Sequence, residues 1–138
     1  MKYLDKSTAL NLLGLDEIDH SVVISDPNTP DTPMVFISDE FEKQTGYSIE
    51  ESLGKNCRFL QGPETDPKDI DYIRLALKRK KKITVDILNY KKNGEKFWNR
   101  LRIRPLFDEK GNLIFFAGYQ NPISVEEVRR YTFNKILD

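Results

Sequence analysis

The second half of the chain carries three consecutive strand patterns, which constrain the fold more than any other feature. Apolar and polar residues alternate over Ile83 to Tyr90, over Lys96 to Leu106 and over Leu113 to Gln120. Asn93-Gly94, the strongest short-range hairpin signal, joins the first two runs, and a turn at 108–112 joins the last two. The pattern predicts an antiparallel sheet with one largely apolar face.

The first half predicts a strand hairpin followed by helices. Ser21 to Ser25 and Pro33 to Ile37 are apolar runs on either side of a turn rich in Asp and Pro. Ser38 and Ser48 are suited to cap two short helices, and Pro67 is suited to begin a longer helix that ends near Lys80. Together the two halves predict an α+β domain over residues 21–122.

Flanking helices are expected on both sides of this core. Residues 1–20 fit an amphipathic helix that breaks near Gly14 and caps the domain. Residues 123–138 fit a second helix that begins at a capping box formed by Ser124 and Glu127. Because an apolar terminal helix must be covered by its own sheet or by a second copy, we expect a homodimer through the flanking helices.

Composition excludes several classes of partner. The 138 residues fit one domain, and 22 basic residues balance 22 acidic ones, so the net charge gives no attraction to nucleic acid or membrane. The single cysteine cannot form an internal disulfide, which favours a reducing cytoplasm. No apolar run reaches the length of a signal peptide core or a membrane span. We expect a cytoplasmic protein with no metal site.

The stretch from Gly54 to Gly62 concentrates reactive and polar groups. It holds the only cysteine, Cys57, together with Arg58 and the carboxamides of Asn56 and Gln61. Helix and turn signals bracket the stretch on both sides, so Cys57 is expected in a pinned element. Most lone cysteines are small buried hydrophobes, and the residues alone leave that alternative open.

Three carboxamides share the apolar face of the predicted sheet. By strand parity Asn89, Asn99 and Gln120 lie on the same side as the neighbouring apolar residues. A buried amide without a partner costs about 1–3 kcal/mol, so each of them needs a hydrogen bond. They could pair with one another, but their mixed donors and acceptors also match the edge of a planar heteroaromatic ring, which we favour.

Arg74 is unusually placed for an arginine. On the predicted helix it lies between Ile73 and Leu77, near the apolar stripe. Either its stem covers apolar surface while its head group reaches water, or the guanidinium contacts a ligand.

The order of elements resembles a PAS domain, and the motif around Cys57 closely resembles the signature of the LOV (light, oxygen, voltage) photoreceptors. The resemblance covers Ser21 to Pro122 and includes the run from Gly54 to Pro63 and the triplets Phe97-Trp98-Asn99 and Gly118-Tyr119-Gln120. It implies a five-stranded antiparallel sheet with helices on one face that cups a ligand.

The resemblance implies a role for each matched residue. Cys57 would be the photoreactive thiol, and Gln120 would face nitrogen 5 of a flavin and relay the signal. Arg58 and Arg74 would hold a phosphate, which favours FMN, with riboflavin and FAD as alternatives. Asn56, Gln61, Asn89 and Asn99 would hydrogen-bond the ring or its ribityl chain. The other expected cavity residues are Val23, Ser25, Phe41, Leu60, Ile70, Leu77, Leu101, Ile103, Phe116 and Gly118.

The implied function is a blue-light photoreceptor that forms a reversible cysteinyl–flavin C4a adduct and is not an enzyme. The flanks leave no room in this chain for a kinase or a DNA-binding domain, which predicts a short LOV protein or an excised sensor module. It would signal through flanking helices, dimer contacts or a downstream protein partner. Two alternatives are a PAS-type flavin redox or ligand-binding module without a photocycle, and a structural dimerisation domain.

Overall fold

The computed structural model describes residues 2–14 and 20–129, and its centre is an antiparallel sheet. Five strands follow one another in the order β2-β1-β5-β4-β3, and β6 pairs with β4 just beyond the end of β5. The predicted antiparallel sheet is confirmed, and the short sixth strand extends it. The strands are β1 Ser21–Ser25, β2 Met34–Ile37, β3 Ile83–Tyr90, β4 Lys96–Phe107, β5 Leu113–Gln120 and β6 Pro122–Ile123.

Four α-helices and two 3-10 helices complete the described fold. Ser48 and Glu51 form the predicted capping box, and Pro67 follows an Asp66 cap at the start of the longest helix. That helix ends two residues before Lys80, which adopts a left-handed backbone with a φ of 55°. The helices are α1 Lys6–Leu13, α2 Asp39–Thr45, α3 Ile49–Ser52 and α4 Pro67–Lys78, with 3-10 helices at Cys57–Leu60 and Val125–Glu127.

The two faces of the sheet are covered differently. On the inner face, Val23 packs with Met34, Phe41 and Leu60 beneath α2 and the first 3-10 helix. On the outer face, α1 packs against the sheet, in a core cluster that contains Ala9, Leu13, Val22, Ile24 and Ala117. The inner face therefore faces the part of the chain that carries Cys57.

The C-terminal flank differs from the predicted helix over residues 124–129. Ser124 and Glu127 do form a capping box, but it begins a single 3-10 turn, after which Val128 is extended. Hydrogen bonds to the sheet hold this segment, because Arg100 Nη2 donates to the Glu127 carbonyl at 2.9 Å and the Arg129 N–H donates to Asp86 at 2.7 Å. The rest of the predicted helix, 130–138, and residues 15–19 of the N-terminal flank lie outside the described residues.

Among the residues described above, none of the helices is both long enough and apolar enough to cross a bilayer.

Candidate functional site

A cavity of about 280 Å³ lies between the inner face of the sheet, α4 and the first 3-10 helix. Its size is just below the range of about 300–1,000 Å³ that is typical of small-molecule sites. Most of the predicted site residues line it: Val23, Ser25, Asn56, Cys57, Arg58, Leu60, Gln61, Ile70, Arg74, Leu77, Asn89, Leu101, Ile103, Phe116, Gly118 and Gln120.

Two predicted residues lie behind the cavity wall. Phe41 is fully buried in the inner core, where it packs in the cluster that includes Val23 and Leu60. Asn99 is also fully buried and hydrogen-bonds two lining residues, Asn89 and Gln120. Each supports the wall of the cavity without forming its surface.

Three further residues line the cavity, Thr32, Ile73 and Ile87. Helical spacing could have identified Ile73, which lies one turn beyond Ile70, and strand parity could have identified Ile87, two residues before Asn89. Thr32 gives no such signal, since it lies in an irregular turn with a φ of 47°.

Cys57 begins the first 3-10 helix and lines the cavity. The helix starts there because Asn56 Oδ1 accepts a hydrogen bond from the Arg58 N–H at 2.9 Å. Cys57 is half-buried as a residue, and desolvation of its sulfur raises the pKa of the thiol to about 12, so the group is uncharged near neutral pH. Cys57 also packs beside the inner core, so it is both a packing residue and a potential reactive group.

A close contact with β3 fixes the far end of this element. A Cβ atom at Gly62 would lie 2.3 Å from the ring of Tyr90, so only glycine fits there without a shift of the ring. The Tyr90 hydroxyl accepts a hydrogen bond from the Glu64 N–H at 2.9 Å, and the Thr65 hydroxyl donates to the Leu88 carbonyl at 2.7 Å. The chain that carries Cys57 is thus fastened to the sheet.

The three inner-face carboxamides form one network, in which Asn99 is central. Its Nδ2 donates to Asn89 Oδ1 at 3.0 Å and to Gln120 Oε1 at 2.5 Å, and its Oδ1 accepts from the Asn121 N–H at 2.8 Å. The three carboxamides therefore do pair with one another, but one of their donors is not used in this network. Gln120 Nε2 is buried and has no hydrogen-bond partner among the described residues. This donor lies in the cavity wall and is available to a ligand acceptor.

Two arginines and two aspartates stand at the cavity mouth. Arg58 forms an ion pair with Asp31, and Arg74 lies 3.7 Å from Asp71. The side chains of both arginines are largely exposed, 55% for Arg58 and 76% for Arg74. Arg74 therefore presents its head group to water at the rim instead of lying in the buried stripe.

Comparison with known proteins identifies relatives over most of the chain. Residues 19–124 match the PAS domain family. Phototropin-2 of Oryza sativa is 51% identical over 106 residues, and a blue-light-activated histidine kinase of Brucella anthropi is 48% identical over 105 residues. These matches cover 77% and 76% of this chain, but the chain spans only 12% and 21% of those longer proteins.

A solved structure agrees with the sequence match. A light–oxygen–voltage domain studied with a flavin analogue is 45% identical to the chain and superimposes with a TM-score of 0.77. The match covers 86% of this chain and 84% of that one. The chain therefore belongs to the PAS domain family, and within that family it is a light–oxygen–voltage (LOV) domain.

Proposed function

We propose that this domain is a flavin-binding blue-light photoreceptor in which Cys57 bonds reversibly to carbon 4a of the flavin. The observation that carries this proposal is the uncharged Cys57 thiol in the wall of the same cavity as the unpaired amide donor of Gln120. The relatives named for blue light and the LOV structure studied with a flavin analogue support it. The kinase activity named in one relative is a property of that much longer protein.

The cavity walls fit a flat, polar-edged ring. Gln120 Nε2 offers a donor to a ring acceptor, and Asn89 lies beside it in the same network. A Cβ atom at Gly118 would approach the protein no closer than 3.4 Å, at Val23 Cγ2, so protein packing does not require glycine there. Glycine instead leaves space on the cavity side, where a ring could lie close to the β5 backbone.

The arginines at the mouth favour FMN over the other flavins. Guanidinium groups are permanently charged and planar, which suits them to phosphate. Arg58 and Arg74 both line the cavity and have exposed side chains, so each could bind the phosphate of FMN. Riboflavin lacks this group, and FAD would extend a larger one from the same rim.

Cys57 supplies both atoms that the proposed addition needs. Bound flavin would supply the absorption of blue light and an electrophilic carbon. The Cys57 sulfur would form the new bond to carbon 4a and the thiol would give its hydrogen to nitrogen 5, so the addition would need no external reductant. The high pKa of Cys57 keeps that hydrogen on the sulfur in the dark. Because this bond would reopen and no substrate would be consumed, we propose that the domain is a receptor and not an enzyme.

The carboxamide network provides a route for the signal. A hydrogen on nitrogen 5 would replace an acceptor with a donor, and Gln120 could respond by rotating its amide. Rotation would turn Gln120 Nε2 towards Asn99 Nδ2, which now donates to Gln120 Oε1 at 2.5 Å. Two donors would then face each other, so Asn99 would have to rotate too and would lose its bond from the Asn121 N–H.

The route ends at the C-terminal segment. The Asn121 carbonyl accepts a hydrogen bond from the Arg100 N–H at 2.8 Å, and the Arg100 side chain holds the Glu127 carbonyl. The N-terminal flank packs on the sheet of its own chain, because α1 buries Ala9 and Leu13 there. We propose that the output is a change in the contacts that the chain beyond Glu127 makes with a second copy or with a partner protein. We propose that the protein acts in the cytoplasm.

An absorbance spectrum before and after blue illumination tests the proposal. We expect a yellow protein whose blue absorption band bleaches in light and returns in the dark. Cys57→Ala should bind the flavin equally well and show no bleaching. A colourless protein, or a yellow one that light does not bleach, would contradict the proposal, and the second result would favour a flavin module without a photocycle.

A further inference from the structure

Asp31 is already paired with Arg58, whose guanidinium the proposed function assigns to the flavin phosphate. Its carboxylate forms an ion pair with Arg58, which lines the cavity mouth. Arg74, the other arginine at the mouth, has only a longer contact of 3.7 Å with Asp71. A phosphate that reaches Arg58 therefore meets a carboxylate already bound there.

The backbone holds Asp31 firmly in this position. Asp31 and Thr32 both adopt left-handed backbone conformations, with φ of 70° and 47°, and Thr32 itself lines the cavity. Asn56 Nδ2 donates to the Asp31 carbonyl at 2.7 Å. The turn is thus tied to the start of the Cys57 helix by its backbone through Asn56 and by its side chain through Arg58. Strained turns that are held in this way often belong to ligand sites.

We propose that Asp31 is a specificity-determining residue that weakens the preference of this site for FMN over riboflavin. This inference rests on the proposed function and concerns which flavin the cavity retains. Riboflavin leaves the pair between Asp31 and Arg58 intact, because it carries no phosphate. An FMN phosphate that binds Arg58 would have to displace the carboxylate or share the guanidinium with it, close to a like charge.

Asp31→Asn separates this role from a structural one. Asparagine tolerates the left-handed backbone and keeps the side-chain shape, so the turn should persist. We expect the dissociation constant of FMN to fall by about three- to tenfold and that of riboflavin to change by less than about twofold. The gain for FMN should shrink at high salt, because the charges involved are exposed. If Asp31 only held the turn, both flavins would be affected equally.

The measurement is a fluorescence titration of the ligand-free chain with FMN and with riboflavin. Glu40→Gln is the matched control, since it removes the same charge from another exposed ion pair, to Lys43, away from the cavity lining. It should leave the ratio of the two dissociation constants unchanged. An unchanged ratio in Asp31→Asn would overturn this inference alone. Failure of the unsubstituted chain to bind either flavin would overturn the proposed function and this inference with it.

Discussion

At the scale of single residues, the environment of Cys57 sets the conditions for its chemistry. The thiolate is the nucleophilic form of cysteine, and an unperturbed thiol has a pKa of about 8.5. Burial raises the pKa of Cys57 to about 12, so the folded protein holds very little thiolate near neutral pH. Ordinary nucleophilic addition in the dark is therefore suppressed, and a reaction that begins from the neutral thiol is favoured.

The pH dependence of alkylation by iodoacetamide tests this shift. At pH 9 we expect Cys57 in the folded chain to react at least about a hundredfold more slowly than in urea, because thiolate formation needs a far higher pH. The same shift means that stability present below about pH 8.5 is lost as the pH rises towards 12. Mass spectrometry reports modification at a single site, since the chain has one cysteine. A folded-state midpoint near 8.5 would contradict the raised pKa of the Cys57 thiol.

Local patterns revealed some site residues and not others, for physical reasons. Gln120 and Asn89 could be predicted, because strand parity alone places them on the inner face. Asp31 could not, since its importance comes from a left-handed turn and from a partner 27 residues away. Helical periodicity placed Arg74 near the apolar stripe, but a long side chain at the cavity margin reaches water, which spacing does not show.

At the scale of elements, an ion pair on the outer face joins the sheet to the C-terminal segment. Asp86 on β3 faces Arg100 on β4, and the two carboxylate oxygens accept from Arg100 Nε at 2.8 Å and from Nη2 at 3.0 Å. The Arg129 N–H adds a third bond to Asp86, only 4% of which is exposed. No single-strand pattern predicts this arrangement, because it depends on the register between two strands. It also explains why residues 124–129 follow the sheet.

Replacing this carboxylate should loosen the segment. For Asp86→Asn we expect a loss of about 2 kcal/mol in the free energy of unfolding, because this buried position loses its charge-assisted hydrogen bonds with Arg100 and with the Arg129 N–H. Hydrogen exchange at the Arg129 amide should become faster, since its acceptor loses charge.

Glu64→Gln is the matched control for this substitution. The pair between Glu64 and Lys96 has the same 2.8 Å contact, but its side chains are 62% and 50% exposed. Removing an exposed pair should cost no more than about 0.5 kcal/mol. Chemical denaturation compares the two variants. Equal losses would show that burial does not distinguish the two pairs.

At the scale of the whole molecule, the two faces of the sheet differ in how completely they are packed. The outer core is closed by α1, whereas the inner side encloses a cavity of about 280 Å³. Ile70, Ile73 and Leu77 of α4 are only half-buried because they face this cavity. A bound ligand would complete the inner core, so ligand occupancy would increase folding stability.

The melting temperature should therefore depend on FMN concentration. A ligand that binds only the folded state stabilises it by about 2.7 kcal/mol at a hundredfold excess over the dissociation constant, which corresponds to a rise of roughly 10 °C for a domain of this size. Adenosine monophosphate, which has a phosphate but no flavin ring, should leave the melting temperature unchanged.

Gly118→Ala should melt like the unsubstituted chain without ligand, since the added Cβ meets no protein atom closer than 3.4 Å. It should lose most of the rise with FMN, because the methyl group occupies the cavity side of β5. A rise that survives in Gly118→Ala, or one that adenosine monophosphate reproduces, would place the binding site elsewhere on the molecule.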